Sequence, residues 1–200
     1  LRKALKKAGL EQVPVISVNM SGLESASGFK LTLPLVRQIV ASLVYGDCIM
    51  CVSNQTRPYE FNEGETDALI EKWNDALIEQ FNRGKGLSNK DMRKNLAAIV
   101  DDFDAIERSH ERKTRVGVVG EIYVKYSSLG NNGLEKFLRT QDCEYMLPGI
   151  MGFVLFKIDN RIEDHHLYGG SLVKLLCVLM CRNAVGGTKF GWAATASISV

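Results

Sequence analysis

Apolar and polar positions follow two regimes along this chain. Between 32 and 107, apolar residues recur at spacings of three and four, the period of helices buried on one side. Val36, Ile39, Val40, Leu43 and Val44 form the first stripe, extended by Ile49 and Met50, which predicts a largely buried helix from 33 to about 52. Thr32 is placed to cap it, with Pro34 in its first turn. Leu69, Ile70, Trp73, Leu77 and Phe81 form a second stripe, with Thr66 as the expected cap and Asp67 behind it. Met92, Leu96, Ile99, Phe103 and Ile106 form a third, opened by Ser88 and Asp91 in a near capping box. The segment 54–64 reads as a turn-rich loop, and 108–113, without an apolar residue, as a charged link.

The second regime is strand-like. The run 115–119, RVGVV, is β-branched and stops at Gly120. A second run, 143–147, stops at Pro148 and Gly149, and Leu134, Phe137 and Leu138 fall at helical spacing between them. Strand, loop, helix and strand in about thirty residues predict a βαβ unit whose strands are parallel neighbours. At the start, 1–9 reads as a helix with a basic last turn and a Gly stop, 13–18 as a buried strand, and 19–29 as a Ser- and Gly-rich loop. Residues 150–158 favour a helix and 161–170 a polar loop. Ser171 is placed to cap an apolar helix to about 182, and 192–200 is β-prone. The expected fold class is α/β, with Rossmann-like parallel βαβ units and a helical segment between two α/β parts. The parts are 1–31, the end of a first lobe; 32–113, helical segment and link; and 114–200, a second lobe.

In open α/β sheets, ligands sit at the carboxyl ends of the strands. That singles out Gly120, Glu121, Lys125, Tyr126, Asn131 and Asn132 as a substrate-binding loop. Glu121 has the chemistry of a base or of a hydroxyl acceptor, Lys125 can meet a phosphate, and the two Asn residues both donate and accept. The glycines do not follow the dinucleotide fingerprint, and there is no Walker pattern. Arg57 and Tyr59 flank Pro58, which fixes a turn; Arg57 can fork onto a phosphate or carboxylate, or simply pair with Glu60 to hold the loop. Cys48 and Cys51 form a C-x-x-C that follows a helical run instead of opening a helix, which favours packing over redox chemistry. Cys177 and Cys181 lie in an equally apolar setting, and neither pair matches a familiar metal site. His165 and His166 follow Glu163 and Asp164, but neighbours in an extended loop point apart. No metal ligands are therefore expected here.

Composition narrows the classes. Two hundred residues, 46% apolar and 24% charged, suffice for one sizeable core or two small ones. A net charge of +2 gives no footprint for nucleic acid or an anionic membrane. No signal-peptide pattern opens the chain, and no uninterrupted apolar run of membrane-spanning length is read from it. Five cysteines, an odd count and mostly within apolar runs, favour reduced thiols and a cytoplasmic setting. Opening at Leu1 inside a helix is expected of a piece of a longer protein.

The runs GLEQVPVISVNMSGLE, GFKLTLPLV, LVYGD, RPYE and RVGVVGEIYVKYSSLGNN occur in this order. Together they resemble the acyl-CoA dehydratase activase-related proteins, relatives of the 2-hydroxyglutaryl-CoA dehydratases and their activators, over roughly residues 1–160. The resemblance implies a fragment of the dehydratase-like region of a large cytoplasmic protein from an anaerobe. It implies a 4Fe-4S iron–sulfur cluster and ATP in the parent protein and neither in this fragment, with the cluster's cysteines upstream of Leu1. The related chemistry is low-potential electron transfer and radical dehydration of a 2-hydroxyacyl-CoA. Expected partners are an acyl-CoA or related small molecule and other domains of the parent chain. The alternative is a non-catalytic module that docks an activator.

Overall fold

In a computed structural model of the chain, residues 2–13, 15 and 32–169 are described. The expected strands at 13–18 and 192–200, the loop at 19–29 and the helix at 171–182 lie wholly or largely outside them. Two compact units are present, Leu1–Val36 and Arg37–Val200. In the first, α1 (Arg2–Lys7) ends in Lys6 and Lys7, and Gly9 adopts φ +69°, the left-handed stop its position predicts. Helix α2 (Leu33–Thr56) begins in this unit, where Thr32 Oγ1 accepts from Leu35 N at 3.4 Å, and continues through the second.

The second unit is mostly helical. A 3-10 turn (Arg57–Tyr59) follows α2, then α3 (Glu65–Asn82) and α4 (Asn89–Asp104). Strand β1 (Arg115–Gly117), helix α5 (Ile122–Tyr126), helix α6 (Leu134–Thr140), strand β2 (Glu144–Met146) and helix α7 (Ile150–Tyr168) complete it.

The Rossmann-like α/β expectation is therefore wrong. Seven α-helices and one two-stranded sheet are described, and the main core is helix on helix. It joins Val44, Tyr45, Cys48 and Val52 of α2 with Leu77 of α3, Met92, Leu96, Ile99 and Phe103 of α4, and Met151 of α7. The βαβ segment contributes a smaller cluster, Val118, Leu138, Tyr145 and Leu147. Burial of large apolar side chains at roughly 25 cal/mol per Å² stabilises the helical core far more than three-residue strands can stabilise a sheet.

The two strands are nevertheless parallel, as the sequence predicts, with Arg115 opposite Glu144 and Gly117 opposite Met146. Each is shorter than its apolar run. Further boundaries differ. Helix α2 runs on to Thr56, into the expected loop. Helix α3 is not capped by Thr66: Gly64 is its N-cap, and the Glu60 carboxylate accepts from Gly64 N at 2.8 Å and Thr66 N at 2.7 Å. Ser88 does cap α4, accepting from Asp91 N at 3.1 Å. Helix α7 runs through 161–168, where a loop is expected, because Ile162 is buried one turn beyond the apolar run and keeps the helix docked.

The stretch Leu33–Tyr59 is long and apolar enough to cross a membrane by length and composition, which the reading of apolar runs above overlooks. In the fold its apolar side packs against α3, α4 and α7, and it carries a buried carboxylate, Asp47.

Candidate functional site

The predicted loop begins where β1 ends. Gly120 has φ +150°, a conformation side-chain-bearing residues rarely adopt, so glycine permits this exit from the strand. Glu121 caps α5: its Oε2 accepts from Tyr123 N at 2.8 Å, and its backbone carbonyl accepts from Lys125 N. The Lys125 ammonium lies 5.6 Å from the centre of the Tyr126 ring. The Tyr126 hydroxyl donates to the Pro148 carbonyl, and burial, with Asp47 and Glu135 nearby, pushes its pKa up to about 12. Asn131 closes the turn into α6. Its Nδ2 donates to the Lys125 carbonyl at 3.1 Å, while its Oδ1 accepts from Gly133 N and Leu134 N, both at 3.1 Å. Asn132 is exposed at φ +55°, in the left-handed region that Asn tolerates. The polar side chains of this loop are thus largely spent on holding its own turns.

Arg57 and Tyr59 are not part of that loop. Tyr59 Oη donates to Glu144 Oε2 at 2.7 Å, and Arg115 Nε donates to the same oxygen at 3.0 Å. Both contacts sit at the amino ends of the strands, opposite to Gly120 and Glu121. Burial raises the Tyr59 pKa, and its bond to the Glu144 carboxylate raises it further. Lys113 pairs with Asp142 and places its ammonium 5.7 Å from the Tyr59 ring centre. Arg57 pairs with Asp67 through Nη2 at 2.6 Å and Nε at 3.0 Å, not with Glu60. Its Nη1 also reaches Asn54 Oδ1 at 3.5 Å. The eight residues singled out by sequence therefore fall into two groups.

Several polar residues that sequence reading passed over fasten elements within each part of the fold. Asp47, on α2, accepts from Ile150 N at 2.9 Å and Met151 N at 2.7 Å, capping α7 through both carboxylate oxygens. Burial raises its pKa, and the two backbone N–H groups oppose that. A lone carboxylate inside the apolar run VYGDCIM was the available signal. Tyr45 Oη donates to the Gly86 carbonyl at 2.8 Å and accepts from Asn95, and burial lifts its pKa to about 12. Tyr145 bonds Glu135 at 3.2 Å and lies 3.4 Å from two nitrogens of Arg139.

Cys48 is buried, and desolvation lifts its thiol to about 12, so it packs as a small apolar residue. Among the described residues, no three His, Cys, Asp or Glu side chains group as metal ligands. Cys177 and Cys181 lie outside those residues. Glu163, Asp164, His165 and His166 occupy the last turns of α7 instead of a loop, and Asp164 approaches Arg161 at 4.0 Å.

The distinctive feature at the carboxyl end of β1 is apolar. Val119 is 86% exposed, Leu129 84%, Tyr123 56% and Val124 48%. Tyr123 lies against the backbone at Gly130, where a Cβ would come within 2.8 Å of its ring. That contact sets Leu129 beside Tyr123; Val119 and Val124 lie within a few residues of Tyr123 in sequence, and the four exposed side chains are together termed the rim. A separate shallow depression of about 410 Å³ is lined by Phe61, residues 104–108 and His110. Compared with known proteins, the chain matches no family model, no curated protein and no solved structure.

Proposed function

We propose that this chain is a docking module: a helical scaffold that presents a small βαβ platform to another polypeptide. The observation that carries the reading is the exposed rim of Val119, Tyr123, Val124 and Leu129. Contiguous exposed apolar surface marks interaction sites more often than isolated apolar residues do. Around it, Glu121 and Asn131 are engaged as caps and turn closures, which favours a recognition role over general acid–base chemistry. The resemblance to acyl-CoA dehydratase activase-related proteins supports placing the module within a larger, cytoplasmic, dehydratase-like protein. There the acyl-CoA, the iron–sulfur cluster and ATP would be handled by other parts of the chain.

The test is a photo-crosslinking residue placed at Leu129 or Tyr123 of the folded protein. Crosslinks to another polypeptide are expected from both positions, with none from exposed Lys72 on α3. Absence of any rim crosslink in the folded, full-length protein sinks the docking reading.

A further inference from the structure

Strand β1 pairs with β2 along one edge, and along the other no partner strand lies among the described residues. Glu144 N donates to the Thr114 carbonyl at 3.0 Å and Val118 N to the Met146 carbonyl at 2.9 Å. Those bonds turn the backbone groups of 114, 116 and 118 toward β2. By alternation, the N–H and C=O groups of Arg115, Gly117 and Val119 point the other way. All three residues are exposed, and no backbone bond to them is made on that side among the described residues. The outer edge of β2 differs, since Tyr145 and Leu147 are buried.

Natural sheets blunt an open edge with a very short strand, proline, a bulge or a charge pointing into the strand, and β1, three residues long, uses only the first. β1 has no proline and no bulge in its register with β2, and its Arg115 side chain is drawn back onto Glu144. At Gly117 a Cβ would meet nothing within 4 Å, so the approach to the middle of the edge is open.

We propose that this edge pairs antiparallel with β1 of a second copy of the chain, about a two-fold axis at Gly117. This rests on the docking reading and names its partner. An edge strand is self-complementary under a two-fold operation. With Gly117 opposite Gly117 of the second copy, Arg115 falls opposite Val119, and each such pair exchanges both backbone bonds. The same register carries the basic amino end of one strand, Arg112 and Lys113, toward Glu121 at the carboxyl end of the other. The Asp142 and Glu144 carboxylates there are already bonded to Lys113 and Arg115, which leaves Arg112 to answer Glu121. Two parallel pairs become one four-stranded sheet, with Val119 of the rim inside the paired edge.

Sedimentation of the 200-residue chain over a concentration series reads the outcome. A monomer–dimer equilibrium is expected, with amide exchange at Gly117 and Val119 slowing as concentration rises. Gly117→Pro removes a donor that has no partner among the described residues, so it should weaken the dimer by about tenfold or more. Val119→Lys, which leaves the backbone intact, should weaken it as well. A chain that stays monomeric up to concentrations on the order of 1 mM overturns the proposal. So does a dimer that both variants leave unchanged while circular dichroism shows them folded. If the chain is monomeric yet the rim crosslinks to a different polypeptide, the second-copy partner is wrong and the docking reading stands.

Discussion

Asp47 and Met151, 104 residues apart in sequence, are joined by a 2.7 Å hydrogen bond from the Met151 amide to the Asp47 carboxylate. The other carboxylate oxygen takes the Ile150 amide, so one side chain of α2 satisfies two N–H groups at the start of α7. Asp47→Ala leaves both unpaired in a largely buried place and should destabilise the fold by about 1–3 kcal/mol, read by urea denaturation. No measurable loss would mean that α7 is held by Met151 packing alone.

Asp47 also sets a pH dependence. Its folded pKa is raised by burial, so the folded state binds a proton more readily than the unfolded chain. Its favourable contribution is complete below the unfolded value, about 3.9, and is lost as pH rises through the raised folded value. Asp47→Asn cannot ionise. The stability of the wild type relative to this variant should therefore fall from pH 4 to pH 7. A rising difference over that range would show that the two N–H groups outweigh desolvation.

The sequence made some of this architecture readable and hid the rest for physical reasons. Ser88 and the stripe Met92, Leu96, Ile99, Phe103 predict α4 because capping and periodicity are local. The runs ending at Gly120 and Pro148 predict two parallel strands because turn residues bound them. Fold class failed because a βαβ pattern does not say how many strands join the sheet, and here helices supply the main core. The Asp47–Met151 and Tyr59–Glu144 contacts were invisible because they join residues 104 and 85 positions apart. The segment 121–132, expected as a polar loop, contains helix α5 and an apolar exposed face, and its polar side chains serve caps and turns: Asn131 alone binds three backbone groups.

Thr66 and Asn54 carry buried polar atoms, Oγ1 and Nδ2, that have no hydrogen-bond partner among the described residues. A buried hydroxyl without a partner costs about 1–3 kcal/mol by mutational measures. Thr66→Val keeps the shape and removes the hydroxyl, so the urea midpoint should rise, corresponding to about 1 kcal/mol. A fall of that size would mean that ordered water serves the hydroxyl.

Tyr45 and Tyr126, each with a pKa near 12, should stay protonated while ordinary tyrosines ionise. An alkaline titration followed by tyrosinate absorbance should show a late step. That step should shrink in Tyr45→Phe and in Tyr126→Phe. Ionisation of all tyrosines in one step near pH 10, with the fold intact, would contradict the buried environments described here.

Glu121 offers a way to separate capping from chemistry. Its carboxylate accepts from Tyr123 N at 2.8 Å at the start of α5, and it is exposed. Glu121→Gln keeps an oxygen that can accept this bond, so stability should change by no more than about 0.5 kcal/mol. Glu121→Ala removes the acceptor, and a lost cap costs about 1 kcal/mol. A general base behaves differently: Gln cannot take a proton, so both variants would lose activity of the full protein alike. The expected pattern is a loss confined to Ala, seen in denaturation and in amide exchange at Tyr123. If Glu121→Gln abolishes an activity while the fold keeps its stability, the carboxylate acts on a substrate and the docking reading of this edge is wrong.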